Sequence, residues 1–117
     1  MELMFSKNQR IFQKEHFQLI YRRGRVFNFK NFRVFVLKNN FNKLRASVIV
    51  SKKISASAVG RNRIKRKLRH ALIYNLPHFP QNLDLLTVAT KKEILSTTSS
   101  EIKKDFFSMA ETLSKSK

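Results

Sequence analysis

The hydrophobic and polar positions of this 117-residue chain change period several times. Ile11, Phe12, Phe17, Ile20 and Tyr21 recur mostly at helical spacing, which predicts a first helix over residues 8–22, ended by Gly24. Residues 26–29 read as a short strand. In FRVFVLK (32–38) the period drops to two: Phe32, Val34 and Val36 face one way, and Arg33, Phe35 and Leu37 the other. NNFNK (39–43) is a turn signal. LRASVIVS (44–51) is a second alternating strand, with Ala46, Val48 and Val50 on one face and Ser47, Ile49 and Ser51 on the other. Two alternating strands around a turn predict a hairpin.

Helical spacing then returns. Ile64, Leu68, Ala71 and Leu72 gather on one side of a helix expected over residues 57–75 and stopped before Pro77. Residues 78–82, with Pro80, read as a loop. LDLLTVAT (83–90) reads as a mostly buried strand, and strand, crossover helix and strand in succession predict a partly parallel pair. Residues 91–97 form a connector. Thr98 and Glu101 fit a capping box, after which Ile102, Phe106, Met109 and Leu113 form a core stripe. The tail, 114–117, is expected to fray.

Composition narrows the class. An apolar fraction of 42% with 11 Phe is enough for a core, and the length suits one domain over residues 1–117. Lys and Arg number 25 against 7 Asp and Glu, a net charge of +18. Such an excess favours a polyanion as partner, nucleic acid before an anionic membrane. With no cysteine, disulfides and thiolate metal sites are excluded, which is compatible with a reducing cytosol. No apolar run is long enough to span a membrane, and MELMFSKNQR lacks the apolar region of a signal peptide. A cytoplasmic protein is therefore expected.

The charge is densest in the second helix, where Arg61, Arg63, Lys65, Arg66, Lys67 and Arg69 make six of nine residues basic. Arg61, Lys65 and Arg69 stack at i, i+4 spacing, with Asn62 and Arg66 beside them. Like charges at that spacing cost about 0.2–0.5 kcal/mol each. A helix selected for stability alone would alternate signs, so the missing anion is expected to be a partner. Catalytic chemistry is absent. Glu2, Glu15, Asp84, Glu93, Glu101, Asp105 and Glu111 form no acid–base pair, and His16, His70 and His78 show no metal spacing. No Gly-rich phosphate loop or serine elbow occurs.

Ser-Lys-Lys at 51–53, followed by AVGRNRIKRKLR at 58–69, resembles the signature of the bacterial ribonuclease P protein subunit. FQLIYRRGR (17–25) is similar to that family's first helix and its exit, and DLLTVAT (84–90) to its last strand. The resemblance runs from about residue 5 to 113. It departs at Ser47 and Ser55, where many members have Gly, at Thr90, where the strand often ends in Arg, and at His70, often an acidic position.

The resemblance implies an α+β fold: a single-domain α–β sandwich in the order helix, three strands, helix, strand, helix, with a left-handed crossover around the basic helix. It also implies a cytoplasmic endoribonuclease whose RNA subunit, with Mg2+, hydrolyses the phosphodiester that joins the 5′ leader to precursor tRNA. The protein would be an accessory subunit with no catalytic or metal-binding residue of its own. Its partners would be the ribonuclease P RNA and precursor tRNA, with no membrane and no obligate protein partner, the isolated chain being a monomer. Matching positions assign Lys52, Lys53, Arg61, Asn62, Arg63, Lys65, Arg66 and Arg69 to the catalytic RNA. Phe17, Tyr21, Phe35 and Ser51 are assigned to the leader, in a cleft between the first helix and the sheet. Core packing of the three aromatics is the competing reading. A ribosomal or RNA-chaperone protein, a DNA-binding protein and a membrane-surface helix are the other classes. Six basic side chains in nine residues suit backbone contact better than base reading, and the short apolar stripe, in a chain without Trp, weakens the membrane reading.

Overall fold

A computed structural model describes residues 14–40 and 42–115. Its elements are α1 (Lys14–Arg23), β1 (Arg25–Asn28), β2 (Phe32–Lys38), β3 (Arg45–Ile49), α2 (Ala58–Tyr74), β4 (Leu83–Ala89) and α3 (Ser99–Lys115). Single 3₁₀ turns at Leu76–His78 and Lys92–Ser96 lie either side of β4. This is the α+β order expected from the sequence. Residues 8–13 of the expected first helix, the lead-in before them and residues 116–117 of the tail lie outside the described residues. Residues 114 and 115 continue α3 rather than fray, and Ser114 Oγ donates to the His78 carbonyl at 3.2 Å.

The four strands form one sheet in the order β1-β2-β4-β3. β2 and β3 therefore do not pair as a hairpin; β4 lies between them, antiparallel to β2 and parallel to β3. Six of the seven β4 residues are buried, so this strand needs cover on both faces and a hydrogen-bonded neighbour on both edges. Only Ala46 of the five β3 residues is fully buried, so this strand is covered less completely, and it takes the outer place. The turn between β2 and β3 instead crosses the end of β4: the Asn39 N–H donates to the Asn82 carbonyl at 2.9 Å. Asn42 and Asn82 supply the left-handed backbone there, with φ of 56° and 65°.

Each sheet face has its own apolar cluster. Phe32, Val34, Val36, Ala46 and Leu85 pack against Ile64, Leu68 and Leu72 of α2 and Ile102, Phe106 and Met109 of α3. On the other face Phe35 and Leu86 pack against Ile20 of α1. Thr98 Oγ accepts from the Glu101 N–H at 3.2 Å, half of the expected capping box; the Glu101 carboxylate takes the Thr98 hydroxyl at 3.3 Å. Gly24 follows α1 without a positive φ. Its need for glycine is steric, because a Cβ there would lie 2.5 Å from the Ile20 carbonyl oxygen and 3.1 Å from that of Val36.

Two polar clamps fix these layers. Arg45 and Asp84 face each other across the parallel pair, Nε to Oδ1 at 2.8 Å and Nη2 to Oδ2 at 2.7 Å, and Asn39 Nδ2 donates to the same carboxylate at 2.8 Å. This fully engaged carboxylate locks the β3 register against β4. Asn75, just past α2, donates Nδ2 to the carbonyls of Ala71 and Lys103, both at 3.0 Å, and so ties α2 to α3. Thr87 Oγ1, on the central strand, is buried without a hydrogen-bond partner. Thr87→Val keeps the shape and removes an unsatisfied hydroxyl, so it is expected to stabilise the fold by about 1 kcal/mol, read as a rise of about 4 °C in Tm. A fall in Tm would mean that the hydroxyl is satisfied in solution.

Candidate nucleic-acid interface

α2 owes its position to the line Ile64, Leu68, Ala71 and Leu72, all buried. Ser57 caps it, its Oγ accepting from the Gly60 N–H at 3.0 Å. The preceding turn, in which the Ile54 N–H donates to the Ser51 carbonyl at 3.1 Å, leaves Ser51, Lys52 and Lys53 exposed at the end of β3. Ser55 lies against the helix start because residue 60 has no side chain: a Cβ at Gly60 would sit 2.2 Å from Ser55 Oγ. The pairing of Ser55 with Gly60 spans five residues and is visible only once the turn is folded.

The side of α2 away from the core presents Asn62, Arg63, Arg66, His70 and Tyr74, all exposed. These recur at three- and four-residue steps and form one ridge along the helix. The stack Arg61, Lys65 and Arg69 lies one step round from this ridge, half-buried at its flank. Arg61 is engaged within the chain: Nη1 donates to the carbonyls of Ser55 and Ala56 at 3.1 and 2.8 Å. Lys67 on the other flank donates Nζ to the Leu95 carbonyl at 2.9 Å. Among the described residues none of the α2 cations pairs with a carboxylate. The ridge is thus an uncompensated cationic surface on a rigid support, suited to a polyanion backbone.

The second set lies across the sheet. α1 runs over β2 and β4, and the Phe17 ring is half-buried against the smaller cluster. Phe35 is only 9% exposed, while Tyr21 is 45% exposed and meets its ring edge-on at a centroid distance of 4.8 Å. Phe35 is therefore the floor under Tyr21 and not an open stacking face. Core packing accounts for it, whereas Tyr21 stays available. Ser47, Ile49 and Val88 share this sheet face and are half-buried beside the α1 cover. The alternation of β3 had placed Ser47 and Ile49 there; nothing in the sequence marked Val88, because its exposure depends on where α1 stops.

Among the described residues one carboxylate is perturbed. Asp105 has its carboxyl pushed above the usual range, first by partial burial and second by the charge of Glu101 one turn before. That pair belongs to the start of α3, remote in sequence from either surface. Among the described residues no three His, Asp or Glu side chains come together as a metal site. Nor is any described helix long and apolar enough to cross a membrane.

A family model for ribonuclease P matches residues 5–114. The ribonuclease P protein component of Streptococcus pneumoniae serotype 4 is 34% identical over 86 residues, which cover 74% of this chain and 69% of the relative. Among solved structures, the Staphylococcus aureus RNase P protein superposes with a TM-score of 0.72 at 28% identity, covering 92% of this chain and 95% of that one. The RNase P protein from Thermotoga maritima gives 0.77 at 22% identity, over 88% and 96% respectively, a likeness of fold.

The contrast between the Tyr21 and Phe35 rings is measurable. Phe35→Ala removes a buried ring and is expected to cost about 3–5 kcal/mol of stability. Tyr21→Ala, at an exposed position, is expected to cost less than about half of that. Equal losses in denaturant unfolding would place Tyr21 in the core as well.

Proposed function

This chain belongs to the ribonuclease P protein family, and on that premise we propose that it is the subunit that seats the catalytic RNA on α2 and the 5′ leader of precursor tRNA beside α1. The observation that carries this reading is the α2 ridge, exposed, cationic and without a carboxylate partner among the described residues. Arg63, Arg66 and Asn62 are its centre. Lys65 and Arg69 contribute from the flank, and Lys52 and Lys53 from the turn. Arg61 acts through its grip on the carbonyls of Ser55 and Ala56 as much as through its charge. In the cleft, Tyr21 offers the stacking face, Phe35 supports it, Phe17 lines the wall and Ser51 lies at the exit of β3.

In this reading the RNA performs the magnesium-dependent hydrolysis and holds most of the Mg2+. The protein binds and orients. A charge of +18 offsets repulsion between two RNAs brought close together, a task that otherwise falls to added magnesium. The protein acts as one copy, needing no other protein.

The direct test is cleavage of a precursor tRNA by a bacterial ribonuclease P RNA at low magnesium, with and without this chain. Faster leader removal with the protein, and none from the protein alone, is the expected result. No acceleration, with an RNA that is active at high magnesium, would leave a general RNA-binding protein. For the ridge, Arg63→Gln with Arg66→Gln should weaken binding to the catalytic RNA and flatten the plot of log affinity against log salt by about 0.7–0.9 for each phosphate left without its cation. Lys67→Gln should change the slope less, because that ammonium lies on the opposite flank and is directed at the Leu95 carbonyl. The reverse pattern would move the interface to the other flank.

A further inference from the structure

Beyond the Arg-Asn-Arg end of α2, the ridge runs on to a group of rings assigned to neither surface described above. Tyr74, the last residue of α2, is 64% exposed, and Phe107 of α3 is 40% exposed. Lys103 Nζ lies 4.2 Å from the centre of the Tyr74 ring, and the rings of His78 and Phe107 meet edge-on at 5.1 Å. A shallow cavity lies among these side chains, with Lys104 also on its wall and no carboxylate lining it among the described residues. The arrangement is held from beneath: Asn75, 1% exposed, hydrogen-bonds the carbonyls of Ala71 and Lys103 and so fixes the end of α2 against α3. These contacts still leave most of the Tyr74 ring and part of the Phe107 ring open to solvent.

We propose that Tyr74, Phe107 and His78, with Lys103 and Lys104, form a stacking site for an unpaired base of bound RNA, extending the α2 interface onto α3. The proposal rests on the RNA-binding reading given above. Two features favour RNA over a protein surface as the occupant. The cavity combines aromatic faces with ammonium groups, which suits bases strung on phosphates. It also continues the ridge Arg63, Arg66, His70 and Tyr74, whose ends are separated by roughly 16 Å of helix. A strand whose phosphates lie on Arg63 and Arg66 thereby reaches Tyr74 along the same side of α2.

The chain has no Trp, so Tyr74→Trp introduces the sole indole as a reporter. The variant is titrated with a short single-stranded RNA oligomer, with an abasic oligomer of equal charge and with an acidic peptide, binding being followed separately by anisotropy of the labelled ligand. The expected result is quenching of the indole by the base-containing strand only. Phe107→Leu, at an exposed position that circular dichroism will show to be folded, should weaken binding of that strand by about 5-fold or more. Its salt slope should not change, because stacking releases no counterions. Full binding without quenching, equal quenching by the abasic strand or quenching by the peptide would overturn the stacking site while leaving the RNA-binding reading in place. Failure of the unaltered protein to bind RNA at all would overturn both.

Discussion

β4 is buried on both faces and bonded on both edges, and the rest of the molecule answers to that condition. Its antiparallel neighbour β2 is reached early in the chain. Its parallel neighbour β3 can be joined to it only by a crossover, and that crossover is α2. α2 and α3 cover one face of the strand, and α1 covers the other. The Arg45–Asp84 pair then holds the parallel register where a slip would send apolar side chains to the wrong face. A basic helix is thus fixed on the body of the domain as a by-product of completing the sheet.

Magnitudes explain why such a helix survives. Its like-charge steps cost about 0.2–0.5 kcal/mol each. Burial of Ile64, Leu68 and Leu72, all at 0% exposure, contributes roughly 1.5–3 kcal/mol apiece. Packing wins by a wide margin, so charge on the outer side can be set by a ligand and not by stability. The opposite choice is made at Asp84, the buried carboxylate of the sheet, whose two oxygens are engaged by Arg45 and Asn39.

The elements themselves were readable along the chain. A helix expected over 57–75 spans Ala58–Tyr74, and the stripe Ile102, Phe106, Met109 and Leu113 is core, because periodicity and caps are local signals. The order of strands was not readable from the turn at 39–43, since alternation states which way a side chain faces and not which strand lies beside it. The apolar-rich run LDLLTVA, interrupted only by Asp84 and Thr87, held the clue, as it marks a strand covered on both sides. At the basic helix the residue types were legible but their engagements were not. The carbonyls that occupy Arg61 and Lys67 come from other segments, the turn before α2 and the connector before α3. Phe35 gave the same difficulty: an aromatic in a strand reads alike whether another ring covers it or solvent does.

The basic ridge and the exposed Tyr21 ring stand on opposite faces of one sheet, joined by the short turn that follows β3. No linker or hinge loop separates them, so the spacing between the two surfaces is the thickness of packed layers. In mechanical terms the domain is a gauge block. Whatever rests against one face is held at a set distance and angle from whatever rests against the other. A tool of that kind can define where along a polymer an event occurs without touching the bond concerned, and its accuracy is limited by the stiffness of its core.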